Sequence, residues 1–91
     1  MFDLVRVTEV RYLGGHSLWL RFSDGLEGTV DLADSLRGPV LEALLDPLRF
    51  SEVWVDGPSI SWPNGADWSP EWLHDRVLRD GTLPIPIAAL E

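Results

Sequence analysis

The segment SISWPNGADWSPEW, residues 59–72, constrains this chain most because it specifies the end of a strand, a turn and the start of a helix in quick succession. Its tetrapeptide WPNG, residues 62–65, has proline, asparagine and glycine at the second, third and fourth positions that a type I turn prefers. The sequence therefore predicts that a strand through Trp62 ends sharply at this turn.

A helix start follows the turn directly. Ser69 suits the N-cap position and Pro70 the first helical position, where the missing N–H of proline costs nothing. Trp68 and Leu73 have the spacing of a hydrophobic staple, which packs the residue before the cap against the fourth helical residue. We expect a strand-turn-helix joint whose structural residues are Trp62, Pro63, Gly65, Trp68, Ser69, Pro70 and Leu73.

The predicted C-terminal helix, closed by Gly81, has an apolar stripe that should face the sheet. At 100° per residue the stripe contains Pro70, Leu73, His74, Val77 and Leu78. Trp72 lies nearly opposite, beside two arginines, Arg76 and Arg79. Two interpretations of Trp72 stay open: it stacks on the arginine four residues later, or it anchors a partner-binding surface with both arginines. The tail that follows could also fold back over it.

The remaining segments predict a small α+β domain. Residues 4–31 suggest a three-stranded meander with a bulge near Thr8-Glu9, and residues 32–46 suggest two short helical turns, the first capped by Asp31 or Asp34. Residues 53–62 read as a hairpin that turns at Asp56-Gly57. We expect one domain over residues 1–91: a mostly antiparallel sheet made from the meander and the hairpin, short middle helices, a C-terminal helix packed on one face, and an extended tail over residues 82–91.

The charge balance restricts the partners of the chain. Fifteen Asp and Glu residues oppose seven basic residues, all of them arginine, for a formal net charge of −8. Such a charge repels phosphate backbones, so direct nucleic-acid binding is disfavoured and a basic partner is favoured. No apolar run approaches the length of a membrane span, and cysteine is absent. These features predict a cytoplasmic protein without a membrane contact.

The sequence contains few residue patterns that are typical of an enzyme. Glu71 and His74 have the spacing of half a di-iron motif, but only one copy is present and His16 is the only other histidine. A mononuclear metal site from His16, His74 and Asp67 is conceivable, although a histidine that seals the edge of the core is the simpler interpretation. No nucleophile elbow and no phosphate-binding glycine loop occurs. We therefore expect no catalytic residues, no cofactor and no metal.

Two polar residues of the joint have two interpretations each. Asp67 precedes the helix cap by two residues, where its carboxylate could accept amide hydrogens from the turn or from the helix start. It could instead contact a partner, for example an arginine of another protein. Asn64 also has two interpretations: it is a turn residue first and a candidate contact residue second.

The ordered motifs F-x-D-G, V-D-L, F-x-x-V and W-P-N-G-A-D-x-x-P-E, spread over roughly residues 4–78, resemble a small bacterial family known only as a domain of unknown function. The resemblance implies a small α+β domain with a mostly antiparallel sheet. Some members carry a helix-turn-helix after this module, and others are encoded beside a small protein in a toxin–antitoxin-like arrangement. This chain departs from the pattern at His74, where tyrosine is common, and we expect no helix-turn-helix after the motifs.

We therefore expect a non-enzymatic protein-interaction module that binds a small basic partner or a second copy of itself, as the antitoxin-like member of a pair. The predicted contact residues are Trp72, Arg76, Arg79, Asp67 and Asn64. A regulatory DNA-associated adaptor is the second hypothesis, and a small ligand-binding domain or enzyme is the third.

Overall fold

The computed structural model describes residues 5–81. Six strands and three short α-helices make up the fold. The strands are β1 (Val7–Gly14), β2 (Ser17–Phe22), β3 (Glu27–Asp31), β4 (Trp54–Asp56), β5 (Ser59–Ser61) and β6 (Asp67–Trp68), and the helices are α1 (Pro39–Glu42), α2 (Pro47–Phe50) and α3 (Pro70–Arg76). The α+β prediction is confirmed, with the strands divided between two antiparallel sheets of three.

The first sheet is the predicted meander, in the order β1-β2-β3. Its register shifts between Val7 and Glu9, which confirms the bulge that the broken alternation of β1 indicated. The turn between β2 and β3 is closed by Asp24, whose Oδ1 accepts the amide hydrogen of Leu26 at 3.0 Å. Gly25 follows at φ 93°, a conformation that side chains other than hydrogen rarely tolerate.

The middle of the chain is more finely divided than expected. A 3₁₀ turn spans Ala33–Ser35, and a second, Ala43–Leu45, continues α1. Neither Asp31 nor Asp34 caps the first turn in the predicted way: its N-cap position is Leu32, while Asp31 accepts a hydrogen bond from the amide of Ala33 at 2.9 Å. The sequence prediction missed α2, although Asp46 caps it through the amide of Leu48 at 3.0 Å.

The second sheet has the order β4-β5-β6. Its hairpin was predicted, with Val55 opposite Ile60, but the two turn residues are Gly57 and Pro58 rather than Asp56 and Gly57. The two-residue strand β6 was not predicted. It pairs with β5 after the WPNG turn, because the amide of Trp62 donates to the carbonyl of Ala66 at 3.0 Å and brings the chain back alongside.

The strand-turn-helix joint is confirmed in its main parts. Gly65 donates its amide hydrogen to the carbonyl of Trp62 at 3.0 Å, which closes the turn. Ser69 is the N-cap of α3 and accepts from the amide of Trp72 at 3.3 Å, with Pro70 as the first helical residue. A π-helical turn, Val77–Gly81, extends the helix.

The apolar stripe of the C-terminal helix is only partly buried. Leu73 and Val77 are fully buried, and His74 is half-buried against the first sheet. Leu78 is 51% exposed, so its expected place on the buried stripe was wrong. Leu73 and Val77 mark the centre of the buried face, and Leu78 lies more than a quarter turn around the helix from the midpoint between them, at the outer edge of the predicted stripe.

One hydrophobic core joins both sheets and α3. Trp62 lies at its centre: its ring contacts Phe50 and Trp68, and its Nε1 donates to the carbonyl of Phe50 at 2.9 Å. The buried apolar residues are Val7, Leu18, Leu20, Phe22, Val30, Leu32, Leu36, Leu44, Phe50, Ile60, Trp62, Ala66, Leu73 and Val77.

The predicted extended tail over residues 82–91 lies outside the described residues, as do residues 1–4. Within residues 5–81, no helix has both the length and the apolar character needed to span a bilayer.

Candidate functional site

A shallow surface groove runs between α1 and the joint that leads into α3. Two adjoining hollows that share Leu41 and Asp67 form it, and the larger has a volume of about 360 Å³. We call this surface the aromatic groove. Its lining residues are Ser35, Val40, Leu41, Gly65, Ala66, Asp67, Trp68, Ser69 and Trp72.

Trp72 presents its ring to this groove. It is 39% exposed, and its ring centroid lies 5.3 Å from that of Trp68. The guanidinium of Arg76 lies 5.6 Å from the Trp72 ring centroid, so the predicted stacking on this arginine is present. Arg76 also donates to the carbonyl of Asp31 at 3.2 Å. Trp72 is therefore held in place from two sides while part of its surface stays open to the groove.

The opposite wall of the groove is fixed by Asn64. Its Nδ2 donates to the carbonyl of Val40 at 3.0 Å, and its Oδ1 accepts the amide hydrogen of Ala66 at 3.1 Å. The first bond ties the WPNG turn to α1, and the second shapes the turn itself. Asn64 thus sets where the exposed side chain of Val40 and the half-buried one of Leu41 lie.

Asp67 lies where several hollows of the surface meet. It lines both parts of the aromatic groove and also a neighbouring cleft on the second sheet. Its side chain is exposed and makes no hydrogen bond or ion pair with residues 5–81. The expected bond from its carboxylate to the turn or the helix start is therefore not formed within this part of the chain.

The neighbouring cleft has a volume of about 550 Å³, and we call it the acidic cleft. Two carboxylates and three hydroxyls line it, and none of the basic residues within residues 5–81 does. Its lining residues are Asp56, Gly57, Pro58, Ser59, Ile60, Ser61, Asp67, Trp68, Ser69 and Pro70.

The two histidines lie elsewhere. The Nε2 of His74 lies 2.8 Å from Oδ2 of Asp24, and its ring meets the edge of Phe22. The Nε2 of His16 lies 2.8 Å from the carbonyl oxygen of Leu45, and its ring packs on Phe50. Both seal the edge of the core, as the simpler interpretation held. Among residues 5–81, no three His, Cys, Asp or Glu side chains are grouped so that they could hold a metal ion.

The structure brings together some of the predicted contact residues and separates others. Trp72, Arg76 and Asp67 lie at or beside the aromatic groove, and Asn64 supports its wall. Arg79 lies beyond α3 in the π-helical turn, where it pairs with Asp75 at 3.4 Å. The sequence interpretation missed Val40 and Leu41, since their position at the groove depends on the bond from Asn64, 24 residues away.

Comparison with known proteins places the chain in a family. The family described as "Protein of unknown function (DUF2442)" matches residues 7–77, which include both sheets, the aromatic groove and most of the C-terminal helix. No curated protein and no solved structure matches the chain.

Proposed function

The chain belongs to this family, for which no function is established, and on that premise we propose that it is a non-enzymatic protein-interaction module. We assign its recognition surface to the aromatic groove. The partner is a small basic protein, and its apolar side chains fill the groove between Val40, Leu41 and Trp72.

The observation that carries the proposal is the arrangement of Trp72. Tryptophan and arginine are the residues that contribute most often to interface hot spots. Here the ring is held between the tilted ring of Trp68 and the guanidinium of Arg76, so it loses little conformational freedom when a partner covers it. The groove also contains Val40, which is 48% exposed, so the apolar surface is continuous rather than a single ring.

Charge supports a basic partner. The chain has a formal net charge of −8. Asp67 lines the groove and forms no ion pair with the described residues. A basic protein would be attracted at long range by the net charge and positioned at short range by this carboxylate. The attraction should weaken as salt is added.

The finer form of the proposal is that the chain neutralises its partner, as the antitoxin-like member of a pair. An acidic protein that covers a basic surface can prevent that surface from reaching phosphate groups of nucleic acid. The small size of the domain and its preformed groove suit a role that consists of binding alone.

A photo-crosslinking experiment tests the assignment of the surface. A photoreactive phenylalanine analogue replaces Val40 in one variant and Leu13 in another, since both side chains are about half exposed but only Val40 lines the groove. Each variant is crosslinked in native cells, and the crosslinked protein is identified by mass spectrometry. That protein is then purified and mixed with the wild-type chain to measure stoichiometry and affinity.

We expect one small basic protein to crosslink from position 40 and not from position 13, and to form a defined complex with the purified wild-type chain. If its expression alone slows growth, co-expression of the chain should restore growth. Equal crosslinking from both positions, or no complex from the purified proteins, would contradict the assignment. A crosslink to a second copy of the chain would identify the groove as a homodimer interface instead.

A further inference from the structure

The acidic cleft lies next to the aromatic groove but is lined by carboxylates and hydroxyls. We propose that it receives an arginine side chain of the partner, with Asp67 as the residue that determines this specificity. The inference rests on the proposed function, because the arginine comes from the protein that occupies the groove. The cleft and the groove share Asp67, Trp68 and Ser69, so one bound segment can reach both.

Strand pairing places the polar groups of the cleft on one face of the second sheet. Trp54 lies opposite Ser61, and Ser61 lies opposite Asp67. Directly paired residues of antiparallel strands project to the same side of a sheet, and neighbouring strands lie about 4.8 Å apart. The carboxylate of Asp67 therefore shares its face with the indole of Trp54, which is 43% exposed.

The next pair on this face is Asp56 and Ser59. One carboxylate oxygen of Asp56, Oδ2, accepts from the hydroxyl of Ser61 at 2.9 Å, which leaves the other oxygen available. Ser59 is 6% exposed, and its Oγ makes no hydrogen bond. A buried hydroxyl without a partner costs free energy, so a polar group that enters the cleft and engages it after a rotamer change would gain an extra hydrogen bond.

The first sheet of this chain contains a guanidinium that contacts both an indole and a carboxylate. On the outer face of the first sheet, the guanidinium of Arg21 lies 5.6 Å from the ring centroid of Trp19. Its Nε and one terminal nitrogen donate to Oε2 of Glu27 at 3.0 and 2.8 Å. Indole, carboxylate and guanidinium thus form one unit there.

The lining of the acidic cleft contains two carboxylates and the indole of Trp68, and Trp54 lies outside the lining on the same face of the sheet as Asp67, but none of the arginines among residues 5–81 lines the cleft. An arginine of the partner would complete the unit.

Arginine fits this cleft better than lysine. The polar lining is dominated by hydrogen-bond acceptors, and guanidinium carries five N–H donors in a planar fork, whereas ammonium is a compact and strongly hydrated point charge. The planar group can also stack on an indole while it bonds to a carboxylate. Pro58 and Pro70 in the lining provide apolar surface for the methylene stem.

A nuclear magnetic resonance titration of the purified full chain tests the inference. The probes are N-acetyl-arginine methylamide, the corresponding lysine compound and the corresponding citrulline compound, which has nearly the shape of arginine without its charge. The signals followed are the indole N–H groups of Trp54 and Trp68 and the backbone amides of Ser59–Ser61. The variants are Asp67→Asn and, as a control, Glu52→Gln, which removes an exposed carboxylate that lies outside the cleft.

We expect saturable shifts with the arginine probe, weaker binding of lysine and no saturable shift with citrulline. Asp67→Asn should weaken arginine binding by about tenfold, as removal of a charge-assisted hydrogen bond does, while Glu52→Gln should change it by less than about twofold. Unchanged amide spectra elsewhere would show that each variant is folded.

Equal responses to arginine and citrulline, or arginine binding that survives Asp67→Asn, would overturn the inference. A partner whose affinity depends on Trp72 but not on Asp67 would also overturn it and leave the proposed function intact. If the arginine probe binds as expected but the affinity of the partner does not depend on Trp72, the arginine site in the cleft is supported and the assignment of the groove fails.

Discussion

The Nε2 of His74 lies 2.8 Å from Oδ2 of Asp24, although the two residues are 50 positions apart. This contact joins the turn between β2 and β3 to α3, and it places the imidazole edge over Phe22 in the core. The amide of Leu26 and, after it, the side chain of His74 lower the pKa of the Asp24 carboxyl from its ordinary value of 3.8. The helix and the meander are therefore linked by a bond that depends on an ionised carboxylate.

Acid should weaken this link. A carboxyl whose pKa is lower in the folded state stabilises the fold above its unfolded pKa, and that stabilisation is lost as pH falls through the folded pKa. We predict that Asp24→Asn flattens the fall in unfolding free energy between about pH 5 and pH 3, as measured by urea denaturation. The control is Asp34→Asn, another exposed aspartate. Parallel curves for wild type and Asp24→Asn would contradict the prediction.

Loss of the α3 cap should lower the free energy of unfolding by a measurable amount. Ser69→Ala removes the oxygen that accepts from the amide of Trp72, and we expect a loss of about 1 kcal/mol in unfolding free energy by urea denaturation. Ser69→Asp keeps an acceptor at the same position and should recover most of this loss. Equal stability of Ser69→Ala and wild type would show that the cap contributes nothing.

Removal of the central tryptophan should be far more costly. Trp62→Ala deletes a fully buried ring and its bond to the carbonyl of Phe50, so we expect a loss of about 3–5 kcal/mol. Trp54→Ala deletes the same side chain at an exposed position and should cost less than about 1 kcal/mol. Thermal unfolding compares the two, and a Trp62→Ala midpoint within a degree or two of wild type would refute the core assignment.

The two bonds of Asn64 can be separated by substitution. Asn64→Asp keeps the acceptor for the amide of Ala66 but removes the donor to the carbonyl of Val40, whereas Asn64→Ala removes both. We expect a loss of about 1 kcal/mol per bond, so that the aspartate variant falls between wild type and the alanine variant in urea denaturation. An aspartate variant as stable as the wild type would mean that the bond to Val40 does not stabilise the fold, and identical losses in the two variants would mean the same of the bond to Ala66.

Local signals explain which parts of the fold were predictable. The WPNG turn, the Ser69-Pro70 helix start and the bulge in β1 each depend on a few neighbouring residues, and each was found where the sequence indicated it. Strand β6 was missed because two residues cannot display an alternating pattern. The exposure of Leu78 was missed because the predicted stripe was too wide: Leu78 lies at its outer edge, away from the fully buried Leu73 and Val77.

The candidate site was harder to predict than the fold. Trp72 stood out because it lies off the apolar stripe, whereas Asp67 was first given a local structural role and only second a partner contact. The groove itself depends on contacts between distant segments: Asn64 reaches α1, and β6 pairs with β5 to bring Asp67 beside Ser61. Such placement follows from tertiary packing, so neither Leu41 nor the acidic cleft could be assigned from the sequence.

The most direct test of the aromatic groove is the affinity of the purified partner for two tryptophan variants, measured by isothermal titration calorimetry. Trp72 and Trp19 are matched, because each is partly exposed and carries a stacked arginine, but only Trp72 lines the groove. We predict that Trp72→Ala weakens binding by at least about thirtyfold, the size of a hot-spot loss of 2 kcal/mol, while Trp19→Ala changes it by less than about threefold. Equal affinities of the wild-type chain and Trp72→Ala for the partner would contradict the assignment of the groove.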